Sequence, residues 1–147
     1  MVTMNANQFI ATIADQQVIQ AIQSAEAQTS GELRVFVTDK FVEDPVSEAW
    51  KTFARLNMQD TAQRNAVLIF VGPKARKFAI VADEGIHHFC KEAFWNQLAQ
   101  QLSEGFKAGD YTGSLVRLIE EIGRALAAHF PRLGSDVNEL PDKVLRD

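Results

Sequence analysis

The residues of this chain best suited to chemistry are carboxylates and one arginine that border short apolar runs. Asp83 and Glu84 follow the run 78–82, Glu32 precedes the run 33–37, and Arg64 stands just before the run 66–71. Carboxylates brought together repel unless a cation stands between them, and oxygen ligands favour calcium or magnesium over zinc. Glu32, Asp83 and Glu84 are therefore candidate ligands of a divalent cation, calcium first and magnesium second. Arg64 is the candidate contact for an anion or for transition-state charge, because a guanidinium grips carboxylate or phosphate with parallel hydrogen bonds. Each also has a structural role open to it: Asp83 can cap a following helix, Arg64 can pair with Glu32 or Asp83, and Glu84 can be solvated.

Other reactive groups point elsewhere. His87 and His88 are adjacent, and neighbouring helical residues diverge by about 100°, which suits them poorly to one metal. His129 falls in a last helical turn, where a cation complements exposed carbonyls. Cys90 lies in an apolar helical pattern, and a cysteine-phosphatase loop would need arginine where Asn96 stands. Gly105, Gly109 and Gly113 read as turn residues, since no strand precedes them and no Gly-Lys-Ser/Thr follows.

The elements that must position these groups can be read from periodicity. Residues 15–28, with Asp15 as a cap, place Val18, Ile19, Ile22 and Ala25 on one helical face, and Gly31 ends that segment. A strand is expected over 33–38 and a second helix over 46–57, where Val46, Ala49, Trp50 and Phe53 align. Runs 66–71 and 78–82 flank a Gly-Pro-basic turn and read as a β-hairpin covered on both faces. A helical stripe from Ile86 to about Phe106, broken near Cys90, precedes a last helix over 113–130. Trp50, Phe53, Phe94 and Trp95 fall at core spacing and read as packing, with Trp95 toward the rim. The runs 33–38 and 66–71, joined through a helix, should be parallel, so Glu32, Arg64, Asp83 and Glu84 should meet at one sheet edge. Asp60 and Asp110 lie in loops that nothing in the sequence ties to that edge.

Composition bounds the alternatives. With 147 residues and 46% hydrophobic content, the expectation is one domain over 1–147, in which 134–147 form a polar C-terminal tail. Fifteen basic against nineteen acidic residues, a net charge of −4, leave no basic stripe for nucleic acid. No segment approaches the ~18 apolar residues of a membrane span, and the N-terminus lacks the pattern of a secretory signal. As given, the chain reads as cytoplasmic, or as envelope-associated if a leader or anchor has been removed.

Taken in order, Thr29-Ser30-Gly31-Glu32, Arg64-Asn65-Ala66-Val67-Leu68-Ile69, Arg76-Lys77-Phe78-Ala79-Ile80-Val81, Asp83-Glu84-Gly85-Ile86-His87 and His129-Phe130-Pro131 resemble the TPM domain family. The likeness extends to the Ala25-Glu26 helix end, Trp95, Phe106-Lys107-Ala108-Gly109 and Asn138-Glu139-Leu140-Pro141-Asp142. It implies a three-layer α/β/α, Rossmann-like sandwich with a small mixed sheet. The family includes thylakoid lumen proteins linked to photosystem II repair and to acid phosphatase activity, and divalent-ion binding is associated with it. Where the family commonly has Gly, this chain has Ala66 and Ala82, whereas the Asp of the family's acidic corner matches Asp83. Most relatives carry a leader or a membrane anchor; this chain resembles the standalone, soluble bacterial forms.

Two functions follow as expectations. As a binding module, the domain would use a divalent cation to order the turns at 29–32 and 83–86 and present a surface to a protein partner, for which a membrane-anchored relative is one candidate. As a metal-dependent acid phosphatase acting on phosphomonoesters, it would use the same ion to polarise a phosphoryl oxygen, with Arg64 stabilising charge. The first is favoured, because no nucleophile or general acid is evident.

Overall fold

Apolar runs too short for helices and uninterrupted by polar residues become the inner strands of a sheet. The computed structural model describes residues 3–13, 15–132 and 144–147. Strands β1 (Glu32–Val37), β2 (Ala66–Gly72), β3 (Lys77–Ala82) and β4 (Val144–Arg146) form one sheet in the order β3-β2-β1-β4. β1 and β2 are parallel with Glu32 opposite Ala66, while β2 and β3 form the antiparallel hairpin with Val67 opposite Ala82. The expected pairings are both present. β4, parallel to β1 with Val35 opposite Val144, adds a short fourth strand from the end of the 134–147 segment. Residues 134–143 of that segment lie outside the described residues.

Side chains alternate across a strand, so each strand serves two layers. Leu33, Val35, Val67 and Ile69 pack beneath α2 (Asp15–Glu26), α5 (Glu92–Lys107) and α6 (Tyr111–His129), against Ile22, Leu102, Leu115 and Ile119. Phe36, Leu68, Phe70 and Val81 pack on the other side beneath α3 (Pro45–Arg55), against Ala49 and Phe53. The result is an α/β/α sandwich. Each large side chain so buried contributes about 1.5–3 kcal/mol, and β1 and β2 are buried along their whole length.

Several local features differ from expectation. A first helix, α1 (Ala6–Thr12), precedes α2. The amide of Gln8 donates to Asn5 Oδ1 at 2.8 Å and the amide of Asn5 donates to Gln8 Oε1 at 2.9 Å, a reciprocal cap that stabilises a helix too short to show periodicity. Its Phe9 is fully buried against Phe106 and Tyr111. Asp15 is the first residue of α2 and not its cap. Trp50, expected in the core, is 43% exposed, whereas Trp95, expected to pack, is buried. Trp95 Nε1 donates to the Cys90 carbonyl at 2.8 Å. That bond holds the corner between the short helix α4 (Glu84–His87) and α5, where the expected break occurs.

Asp110, which has no part in the sheet edge, caps α6. Its carboxylate accepts from the Gly113 amide at 3.1 Å and from Arg117 Nη2 at 2.8 Å. The Arg117 hydrogen bond is the main cause holding this carboxyl below its ordinary range. A depressed folded pKa gives a contribution present above the unfolded value and lost as pH falls through the folded one. The melting temperature of Asp110→Asn should therefore lie below the parent's at neutral pH, with the gap narrowing as pH falls through and below the ordinary carboxylate range. A gap that stayed constant on acidification would contradict this pairing.

Candidate functional site

The site forms where β1 and β2 begin and β3 ends. Asp83 leaves β3 with its amide bonded to the Ala66 carbonyl at 2.9 Å, then caps α4 by accepting the Glu84 amide at 2.8 Å. A carboxylate at a helix start satisfies an otherwise orphaned donor. Arg64 approaches from the loop before β2 and forks onto the same carboxylate, Nε to Oδ2 at 2.7 Å and Nη2 to Oδ1 at 2.9 Å. Its Nη1 lies 3.4 Å from Glu84 Oε1. The Asp83 side chain is 5% exposed, that of Arg64 45% and that of Glu84 74%, so the guanidinium bridges a buried carboxylate and a surface one. The hydrogen bond to Asp83, followed by the charges of Asp83, Glu84 and Asp60, raises the Arg64 pKa further and keeps it a cation.

The backbone is as tightly knit as the side chains. Arg64 adopts the left-handed conformation, φ 52°, and its carbonyl accepts the Gly85 amide at 2.8 Å. Gly85 must be glycine there, because a Cβ would stand 2.1 Å from the Gln63 carbonyl oxygen and 2.5 Å from that of Arg64. On the β1 side, the Asn65 side-chain amide donates to Ser30 Oγ at 3.2 Å, and the Gly31 amide donates to Thr29 Oγ1 at 3.0 Å. The Thr29 hydroxyl donates in turn to the Phe130 carbonyl, which ties the turn to the end of α6.

Of the four residues expected to meet, Arg64, Asp83 and Glu84 do. Glu32 opens β1, 2% exposed, in register with Ala66, which is bonded to Asp83. It shares the face that Ala66 and Asp83 occupy but stands two strand spacings from Asp83, roughly 10 Å between backbones. Asp60 reaches Arg64 only through its charge. Among the described residues, no group of three His, Cys, Asp or Glu side chains is placed to hold a metal ion. The guanidinium of Arg64 occupies the space between the Asp83 and Glu84 carboxylates.

The sequence places Glu26 in the family likeness as part of a helix end but gives it no role. This buried carboxylate at the end of α2 accepts the Leu33 amide at 2.8 Å, and its own carbonyl accepts Arg132 Nη1 at 3.0 Å, so it anchors the start of β1. The available signal was an acidic residue one turn after the apolar face of α2. Cys90 is buried and its thiol pKa is raised by that burial, the opposite of what a nucleophile needs. His129 stacks on Phe89 with ring centroids 4.5 Å apart, and His87 Nε2 lies 3.6 Å from Glu92. Neither histidine joins the Arg64 fork.

Among the described residues, no helix is long and apolar enough to cross a membrane. The chain is similar to the BA42 protein of the psychrophilic bacterium Bizionia argentinensis, known from an NMR structure. The two are 34% identical with a TM-score of 0.83, covering 90% of this chain and 92% of that one. It is also similar to the N-terminal domain of the cg2496 protein of Corynebacterium glutamicum, at 15% identity and a TM-score of 0.60 over 84% and 77% of the two chains, a likeness of fold alone. No curated protein matches. The family model of the TPM domain matches residues 3–125, and with the Asp83-Glu84-Gly85 corner seated at the end of its hairpin, this chain belongs to the TPM domain family.

Proposed function

We propose that this domain is a binding module whose acidic corner takes up a calcium-like divalent cation in exchange for the guanidinium of Arg64. The exchange alters the surface that the Asp83–Ile86 turn offers to a protein partner, for which a membrane-anchored relative is a candidate. The observation that carries this reading is the position of Arg64: a cation already bridges a buried and an exposed carboxylate, 2.7 and 3.4 Å away. Glu84 is free to move because it is exposed, and Glu32, on the same sheet face as Asp83, is the third carboxylate of the proposed set. Calcium suits such a corner better than magnesium, since it accepts irregular sets of six to eight oxygens while magnesium demands a near-ideal octahedron.

A hydrolytic role, as a metal-dependent acid phosphatase, has less support. Arg64, its candidate phosphate contact, has both arms of its fork on Asp83, and Cys90 is buried.

Ligand that binds only the folded state stabilises it by RT ln(1 + [L]/Kd), about 1.4 kcal/mol at ~10 mM calcium over a ~1 mM dissociation constant. The parent should therefore melt ~3–5 °C higher in calcium than in chelator. Asp83→Asn, which can still cap α4, and Glu32→Gln should each diminish that rise, and magnesium should produce less of it. No calcium response in the parent, or a response in both variants as large as the parent's, would reject the proposal.

A further inference from the structure

The corner ends a strand whose outer side has no partner among the described residues. β3 is last in the sheet order, and the antiparallel ladder shows which of its groups face outward. Asp83 donates its amide to Ala66, so it is a hydrogen-bonded position. Stepping by two, Val81 and Ala79 also bond β2, which leaves the N–H and C=O groups of Phe78, Ile80 and Ala82 directed away from the sheet. This edge floors a groove of about 580 Å³ walled by Val46 and Trp50 of α3 and by Trp95 and Asn96 of α5. Val46 and Trp50 are 52% and 43% exposed, two of the four large apolar side chains that stand out from the described surface.

We propose that this edge receives β3 of a second copy of the chain, antiparallel about a two-fold axis at Ile80. The sequence Arg76-Lys77-Phe78-Ala79-Ile80-Val81-Ala82-Asp83-Glu84 is complementary to itself about that residue. With Ile80 opposite its own copy, Phe78 meets Ala82 and Lys77 comes level with Asp83, while Arg76, in the turn before β3, and Glu84, at the start of α4, flank the two ends of the ladder. The three outward-facing positions fall on one another, so each becomes a hydrogen-bonded pair of the new ladder. A slip of one residue sets outward groups against inward ones, and a slip of two places Lys77 opposite Val81 or Gly85; only the register at Ile80 satisfies backbone and charge together. Asp83 is buried under the Arg64 fork, so the exposed Glu84, which Arg64 Nη1 approaches at 3.4 Å, divides its charge between Arg64 and the incoming basic residues, and Lys77 leaves its present acceptor, the Glu43 carbonyl. Continuing the sheet brings each α3 beside its counterpart, which covers Val46 and Trp50. Such an isologous contact uses one patch twice and closes at two copies. An exposed strand edge invites pairing of this kind.

The test is sedimentation velocity and residue-resolved amide exchange on the full chain, in chelator, from about 10 μM to about 1 mM, the range over which weak association is read. A reversible dimer is expected, with protection of the Phe78, Ile80 and Ala82 amides rising about tenfold while Ala79 and Val81 are protected throughout. Arg76→Glu with Lys77→Glu should be monomeric, as should Glu84→Lys, and the two mixed should form a heterodimer, which rules out misfolding as the cause. A monomer throughout, with the three amides exchanging as an open edge, would overturn the proposal and leave the groove to an extended segment of another protein. So would a dimer in which those amides stay unprotected, or two folded variants that do not associate when mixed.

Discussion

Gly85→Ala should destabilise the protein by about 3 kcal/mol or more, although it adds one methyl group at a residue that takes no part in a side-chain interaction. The reason is what the methyl meets: the backbone carbonyl oxygens of Gln63 and Arg64, at 2.1 and 2.5 Å. Backbone cannot rotate aside as a side chain can. At Gly105, by contrast, the obstacle is Ser114 Oγ, and at Gly109, φ +79°, nothing lies within 4 Å. Gly109→Ala should therefore cost only the left-handed strain, about 1–2 kcal/mol. In thermal melts the Gly85 variant should fall ~6–12 °C below the parent. Since the Gly85 amide bonds the Arg64 carbonyl, forcing the two apart should also release the fork on Asp83. Amide resonances of residues 64–66 should shift with those of 83–86. A Gly85→Ala protein that melts with the parent would mean that the Arg64 loop and α4 are not in the contact described.

Asp83→Ala should be the second costly change. It removes the cap on Glu84 and the acceptor for both arms of Arg64. A cap is worth about 1 kcal/mol and hydrogen bonds to a charged group about 1.5–3 kcal/mol, so a loss of about 2–4 kcal/mol is expected with the terms partly overlapping. Asp83→Asn keeps an acceptor for the cap and should lose about half as much. Arg64→Ala should lose less than Asp83→Ala, because the departing side chain is nearly half exposed and water enters to solvate the carboxylate it leaves. Urea unfolding of the three variants gives the order directly. If Arg64→Ala proved the most damaging, the arginine would be holding the fold through its backbone conformation more than through Asp83.

The sheet was legible because its strands are unbroken apolar runs: 66–71 and 78–82 could be buried on both faces only between two layers of helices. The corner was legible for a related reason, since a hairpin returns Asp83 to the end where β2 starts, and Arg64 is the cation just before that start. What periodicity could not supply was the lateral order of the strands. Glu32 begins β1 at the correct end, yet β2 separates it from β3, and only the register shows that Ala66 stands between the two carboxylates. α1 escaped because seven residues give too few turns for an apolar stripe, although the Asn5 and Gln8 pair was there to be read. Trp50 stands out of the core because a helical stripe wider than its contact leaves one side exposed. The α3 stripe extends past the edge of β3, so Val46 and Trp50 project beyond the sheet while Ala49 and Phe53 reach it.

The measurement that bears most directly on the corner as a cation-exchange site is a calcium titration of the parent and of Arg64→Gln, followed residue by residue by NMR. If calcium replaces the guanidinium, amides of residues 83–86 and the Arg64 side chain should shift in the parent at millimolar-order concentrations. Removing the internal competitor should then make Arg64→Gln bind more tightly, by roughly tenfold for each 1.4 kcal/mol of competition relieved. Shifts at Asp83, Glu84 and Glu32 that strengthen in the variant are the predicted result. Absence of any calcium-dependent shift at these residues in both proteins, or weaker binding once Arg64 is gone, would contradict the account and leave the fork as a fixed ion pair that caps α4.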